Sequence, residues 1–241
     1  FALRNFWAED GIVHYQEALT IGFFDSLGTN VDGYYLLGPR VVGSVVALAP
    51  VSAAALVNYL IVVLVVAWIS STIYLSSETT LKSPLSRVSL AMSVTLLPIV
   101  GFESIANSAN LQYLLLCASS VVLLGRQQTI WRRTNDVVFV VVTGFATPLL
   151  ICAAPLVGIR VWRDRRAHRR YPPAVAFGWM FGVVGQLSLV ALFTFGSRGL
   201  GEGRSFQRTF FLFLDRVLGY NFIPFWPRIT GESYSGSISA T

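Results

Sequence analysis

The chain has 241 residues, of which 54% are hydrophobic and only 12% are charged. Because soluble domains carry about 25% charged residues, this composition argues against a soluble protein and indicates that lipid is part of its solvent. The net charge of +6 would suit a nucleic-acid partner, but the arginines lie in short loops between apolar runs, where they set membrane orientation. We therefore expect membrane lipid, and not nucleic acid, as a partner.

The first 35 residues are polar and acidic, and their most distinctive stretch is FWAEDG at 6–11. It places Glu9 and Asp10 side by side on a turn. Adjacent carboxylates can hold a divalent cation or act as a general base, although most such pairs in surface loops are simply solvated. The chain begins with Phe1 and not Met, which we interpret as the loss of an N-terminal segment such as a first transmembrane helix.

An aromatic and apolar stretch follows, YYLLGPRVVGSVVALAP at 34–50. It predicts an amphipathic helix that lies along the membrane interface. Arg40, in the middle of this stretch, would either bind a phosphate group through two hydrogen bonds or extend towards the lipid headgroups.

A helix needs about 20 mostly apolar residues to cross the roughly 30 Å of hydrocarbon in a bilayer. Residues 52–76 and 174–196 meet this requirement. Residues 88–102 and 111–125 are uncharged but shorter, and the polar turn ESIANSAN separates them. A pair of short helices joined by such a turn is acceptable where protein or an aqueous cavity shields the turn.

The apolar run 137–159 either crosses the membrane once or breaks near residues 143–148 and returns. We favour the hairpin, because arginines flank both ends of the run and cytoplasmic loops are enriched in Arg and Lys. The basic flanks at 126–136 and 160–173 are then cytoplasmic, and the acidic N-terminal loop is extracytoplasmic.

The turn ESIANSAN contains three polar residues of interest, Glu103, Asn107 and Asn110. Their i, i+4, i+7 spacing places them on one face if a helix continues across the turn. An ionisable residue at membrane depth is costly and is a functional hypothesis by default. The alternative is a polar helix cap at the interface.

The order of these features resembles the GT-C superfamily of membrane glycosyltransferases, which use polyprenyl-phosphate sugars. The likeness rests on the WAEDG turn, on GYYLLGPR at 33–40, and on Glu103 followed by NLQY at 110–113. It covers roughly residues 5–200, with fewer apolar passes than the superfamily usually has. The resemblance implies an all-α polytopic transmembrane helical bundle with an external loop and an interfacial helix. Residues 1–200 then form the transmembrane GT-C-like helical domain, and residues 201–241 form an external interfacial segment and C-terminal tail.

The resemblance also implies residue roles. Asp10, with Glu9, falls where such enzymes carry the catalytic carboxylate, which deprotonates the acceptor hydroxyl or helps to hold Mg²⁺ or Mn²⁺. Arg40 and Arg198 are candidates for binding the donor phosphate, because both are positively charged and both are expected on the external side of the membrane. Glu103, Asn107 and Asn110 are further candidates for substrate binding. The expected protein lies in the bacterial inner (cytoplasmic) membrane and transfers a sugar to a glycan, lipid or protein acceptor outside the cytoplasm.

Two other classes remain open at this point. A lipid or solute transporter or flippase would place Glu103 and the two asparagines in a translocation path, although no internal repeat is visible in the sequence. A structural membrane subunit would use the acidic loop only to bind a partner. An enzyme should gather Asp10, Arg40 and Glu103 around one external cavity, whereas a transporter should hold its polar groups near the middle of the membrane.

Overall fold

The structure is a computed structural model, and all the regular secondary structure that it describes is helical, as predicted for an all-α protein. The described helices belong to one compact unit that ends at Gly196. The described residues are 6, 10–29, 36–96, 107–108, 110–125, 129–166 and 174–196. The predicted external segment 201–241 lies outside them.

The described residues of the N-terminal part form four short helical segments. A π-helix over Asp10–Tyr15 continues into α1 (Gln16–Ile21), and α2 (Phe23–Leu27) follows after Gly22. Gly22 has a φ of 93°, which interrupts the helical backbone between the two and which glycine adopts without steric cost. The predicted interfacial helix is α3 (Leu37–Val46), which is shorter than the stretch 34–50. The face of α3 that carries Arg40 is covered by protein, because a Cβ on Gly43 would lie 2.8 Å from the carbonyl oxygen of His14.

Among the helices that the structure describes, two are long and apolar enough to cross a membrane, judged by length and composition. The first is α4 (Val51–Ser76), which carries no charge and, at 26 residues, is about 39 Å long. It continues into a 3₁₀ turn over Ser77–Thr79. The second is α9 (Ala174–Gly196). These are the two clear spans that the sequence predicts.

The predicted pair of short helices corresponds to α5 (Pro84–Leu96) and α6 (Leu111–Leu124). Helix α6 runs parallel to α4. The residue Ser108, just before α6, meets Asn58 of α4 at the carboxylate of Asp10. At the other end, a Cβ on Gly125 would lie 2.6 Å from the carbonyl oxygen of Ser76.

The run 137–159 does not form one helix. Helix α7 (Ile130–Ala146) ends before a 3₁₀ segment over Pro148–Ala153, and α8 (Ala154–Arg166) then runs back towards the end at which α7 began. Near the start of α7, Asp136 accepts a hydrogen bond from Ser76 at 3.0 Å, and Arg160 of α8 donates to the carbonyl oxygen of Leu123 at this same end. The break that the sequence favours is therefore present, and the described parts of the two arginine-rich flanks, 129–136 and 160–166, share one end.

Helix α9 packs against α7 through glycine. A Cβ on Gly144 would lie 2.6 Å from the Cα of Gly182, so the two backbones are in direct contact. The apolar core continues across α4, where the rings of Trp68 and Phe139 meet edge to face with their centroids 4.9 Å apart. This core joins the two long apolar helices through α6 and α7.

Candidate functional site

Buried and partly buried polar residues collect where the N-terminal helices meet α3, the first turns of α4 and the turn before α6. The π-helix contributes Asp10 and His14, one helical turn apart, and α3 contributes Arg40. We call this group the N-terminal polar cluster. Its members are Asp10, His14, Glu17, Ser26, Thr29, Arg40, Ser44, Asn58 and Ser108.

Asp10 is 3% exposed, and hydrogen-bond donors surround its carboxylate. The Ser108 backbone N–H donates to Oδ2 and the Ser108 hydroxyl donates to Oδ1, both at 2.7 Å. The side-chain amide of Asn58 donates to Oδ2 at 3.3 Å. A buried carboxylate is costly unless it is hydrogen-bonded, and these three bonds offset that cost. Asp10 therefore ties the N-terminal segment to α4 and to the turn before α6.

Arg40 is 2% exposed and is paired with Glu17. Its Nη1 lies 2.7 Å from Oε2 of Glu17, and it also donates to the carbonyl oxygen of Ser26 at 2.8 Å and to the hydroxyl of Thr29. The second terminal nitrogen, Nη2, is buried and has no hydrogen-bond partner among the described residues. One side of the guanidinium is therefore saturated, and the other retains its donors.

Glu17 is only partly buried, and burial acts to raise the pKa of its carboxyl group. The hydrogen bonds from Arg40 and from Thr29 (Oγ1 to Oε2, 2.7 Å) outweigh this effect, so that the pKa lies below its ordinary value. Glu17 is thus ionised at neutral pH, and it supplies the negative charge that offsets Arg40.

His14 lies within reach of the charges of Arg40, Asp10 and Glu17. Burial lowers the pKa of its imidazole, and the positive charge of Arg40 lowers it further, while Asp10 and Glu17 act in the opposite direction. The net shift is downward, so the imidazole is neutral at pH 7. Its Nδ1 is buried and has no partner among the described residues.

Two of the residues predicted from sequence, Asp10 and Arg40, are buried within electrostatic range of the same residue, His14, although each has its own set of hydrogen-bond partners. Asn107 and Asn110 flank Ser108, and Asn110 occupies the N-cap position of α6 without a side-chain capping bond. The described residues 107, 108 and 110 are not in a helix, and α6 begins only at Leu111. The condition for one shared helical face, a helix that continues across this turn, is therefore not met in its described part. The candidates Glu9, Glu103 and Arg198 lie outside the described residues.

No sequence motif identified His14, Asn58 or Ser108 as members of this group. His14 had one usable signal, since its i+4 spacing from Asp10 puts the two on one side of a helical turn. No signal in the sequence indicated Ser108, because it is 98 residues from Asp10 and belongs to a turn with an ordinary polar composition.

A divalent metal ion does not fit this group as described. The atoms around the Asp10 carboxylate are N–H and O–H donors, whereas Mg²⁺ and Mn²⁺ require oxygen ligands that donate lone pairs. In the part of the chain that the structure describes, no three His, Cys, Asp or Glu side chains converge.

Comparisons with protein-family models, with curated proteins and with solved structures find no match for this chain.

Proposed function

We propose that this chain is an integral membrane glycosyltransferase of the GT-C-like type, which transfers a sugar from a polyprenyl-phosphate donor to an extracytoplasmic acceptor. The observation that supports it is that Asp10 and Arg40, 30 positions apart, are both buried and both lie within electrostatic range of the imidazole of His14. Transfer from a phosphate leaving group needs a base near the acceptor and a cation near the developing negative charge. The N-terminal polar cluster holds one group of each kind.

Arg40 is the proposed partner of the donor phosphate. The guanidinium of arginine presents its donors as a rigid fork that matches phosphate geometry. Glu17 and Ser26 occupy only Nη1, so that Nη2 keeps its donors. Because Arg40 is buried, the phosphate reaches it only when the segment containing α1 and α2 moves away from α3.

Asp10 is the proposed base for the acceptor hydroxyl. In the described arrangement the Ser108 hydroxyl occupies Oδ1, so an acceptor hydroxyl would replace it there as the donor. The acceptor oxygen would then attack the anomeric carbon of the donor sugar, its proton passing to Asp10 as the sugar–phosphate bond breaks. The released phosphate would leave with the bonding electron pair, close to Arg40.

The proposed location is the bacterial inner membrane, with α4 and α9 as spans and the polar cluster outside the cytoplasm. The support for this orientation is the charge distribution. The arginine-rich start of α7 and the arginine-rich end of α8 lie near the Ser76 end of α4. The polar cluster lies at the opposite end of α4. Cytoplasmic loops are the ones enriched in arginine.

One observation favours a competing, non-enzymatic role. Both oxygens of Asp10 already accept hydrogen bonds, so the carboxylate can be explained by its joining of three segments alone. In a structural subunit, or in a transporter with the same fold, Asp10 would serve only to connect these three segments.

Transfer of a labelled sugar from a polyprenyl-phosphate donor, measured in membranes containing the full chain, separates these roles. Under the enzymatic proposal Asp10→Asn loses at least about 100-fold in rate, the usual scale for a general base. Ser108→Ala removes a bond to Asp10 but keeps the carboxylate, so it retains activity at temperatures at which it is folded. The matched control is Asp25→Asn, at an exposed position in α2. Full transfer by Asp10→Asn, or the absence of transfer by the unaltered chain, would contradict the proposal.

A further inference from the structure

Helices α4 and α5 form an open groove near the end of α4. Its volume is about 450 Å³, which lies within the roughly 300–1,000 Å³ range of small-molecule sites. The lining is mostly apolar and comes from the last two turns of α4 and the middle of α5. The lining residues are Ser70, Ser71, Tyr74, Leu75, Val88, Ala91 and Met92.

The groove has a cationic group at one end. The guanidinium of Arg87 packs over the ring of Tyr74, 4.6 Å from its centroid, and Tyr74 is itself a wall of the groove. Arg87 directly precedes Val88 of the opposite wall. Lys82 is exposed in the loop that joins α4 to α5 at this same end.

The positive charge of Arg87 is only partly compensated. Its Nη1 lies 3.7 Å from Oε1 of Glu78, while the other oxygen of Glu78 is in closer contact with Arg132. One carboxylate therefore serves two arginines and is held more tightly by Arg132. In addition, Nε of Arg87 is buried without a hydrogen-bond partner among the described residues. The end of the groove thus carries a net positive charge.

We propose that this groove binds one acyl chain of an anionic phospholipid, whose headgroup phosphate is held by Arg87 and Lys82. Charge complementarity selects the anionic headgroup, and the apolar walls select the chain. The groove lies near the arginine-rich end of the helices. The proposed orientation places this end in the cytoplasmic leaflet, where anionic lipids attract basic segments. The inference uses the proposed membrane location but not the proposed sugar transfer.

The test measures lipid retention by native mass spectrometry on the purified full chain in detergent. It compares phosphatidylglycerol with phosphatidylcholine of identical acyl chains. We expect phosphatidylglycerol to bind more tightly and Arg87→Gln to weaken it about fivefold, the scale expected for one cation near an anionic surface. The matched control is Arg133→Gln, an exposed arginine of α7 that does not line the groove.

A second pair of variants tests the position of the chain. Ser71→Trp fills the groove and should lower the affinity for both lipids, whereas Leu64→Trp, at a position that is 69% exposed and outside the groove, should not. If Arg87→Gln does not fold, Lys82→Gln tests the contact with the headgroup, and Ser71→Trp tests the position of the acyl chain. Equal binding of the two lipids, an equal loss in Arg133→Gln, or unchanged binding by Ser71→Trp would overturn the proposal. Lipid binding without sugar transfer would leave it intact while contradicting the proposed activity.

Discussion

Ser108 donates two hydrogen bonds to the carboxylate of Asp10, one from its backbone N–H and one from its hydroxyl, each 2.7 Å long. The two residues are separated by 98 positions, and both are at least 97% buried. This contact connects the N-terminal segment to the turn before α6. It is therefore the point at which the candidate site depends on the rest of the fold.

The first prediction concerns the stability that this contact provides. Ser108→Ala removes the hydroxyl bond and leaves a buried, charged oxygen short of a donor, so we expect a loss of about 1.5–3 kcal/mol in the free energy of unfolding. Thermal or denaturant unfolding of the purified protein measures it. Ser86→Ala, at an exposed serine of α5, is the control and should change stability by less than about 0.5 kcal/mol. Equal stability of the two variants would contradict the contact.

The second prediction concerns the pair of Glu17 and Arg40. Glu17→Gln leaves the buried guanidinium without its counter-charge. We expect a loss of about 2 kcal/mol at pH 7, below the value for a fully buried pair because Glu17 is partly exposed. Asp25→Asn, which removes an exposed carboxylate in α2, is the control and should have little effect.

The effect of Glu17→Gln should also depend on pH. Since the pKa of Glu17 is lowered in the folded state, its stabilising contribution is present above the ordinary value of 4.5 and is lost as pH falls through the folded pKa. The difference in unfolding free energy between wild type and Glu17→Gln should therefore be largest near neutral pH and shrink below pH 4.5. A difference that grows on acidification would show that the sign is wrong.

The third prediction concerns the ionisation of His14. Because burial and Arg40 lower its pKa below 6.5, the folded state binds fewer protons than the unfolded state as pH falls towards that value. Its contribution is thus fully present above pH 6.5 and declines on acidification, and His14→Gln should flatten the stability profile there. The chain has only two histidines, so NMR titration with His168→Gln for assignment measures the pKa directly. A midpoint above 6.5 would contradict the described environment.

The fourth prediction concerns the packing of α3 on the π-helix. A Cβ at Gly43 would lie 2.7–2.8 Å from backbone and side-chain atoms of His14, so Gly43→Ala should cost about 1–3 kcal/mol. The matched control is Gly158→Ala in α8, where a Cβ meets nothing within 4 Å. That substitution should stabilise the helix by up to about 1 kcal/mol, because alanine has the higher helix propensity. Circular dichroism melting curves compare the two variants.

The fifth prediction concerns membrane orientation. Single cysteines at positions 25 and 133, with Cys117 and Cys152 replaced by alanine, should lie on opposite sides of the membrane. A membrane-impermeant maleimide added to intact bacterial cells stripped of their outer membrane should label position 25 and not position 133. Positions 133 and 165 should behave alike, because the hairpin places both ends of 137–159 on one side. Labelling of position 133 alone would reverse the proposed orientation and would remove the extracytoplasmic site.

The sequence by itself determined the elements that depend on local composition. The lengths of the uncharged apolar runs predicted α4 and α9, because a helix that is able to cross hydrocarbon needs a minimum number of apolar residues. The arginines on both flanks of 137–159, together with the proline after Ala146, indicated the break between α7 and α8. Both signals are contained in fewer than about 30 neighbouring residues, and neither needs a distant partner.

Only the tertiary structure decided the composition of the candidate site. A buried carboxylate or guanidinium requires hydrogen-bonding partners, but no periodic pattern in a sequence says which distant residue supplies them. The packing of segments that are far apart in the chain brings Ser108 and Asn58 into hydrogen-bonding distance of Asp10, and Glu17 into hydrogen-bonding distance of Arg40. The same packing made His14 a buried, neutral imidazole between charges, a state that its sequence neighbours alone do not encode.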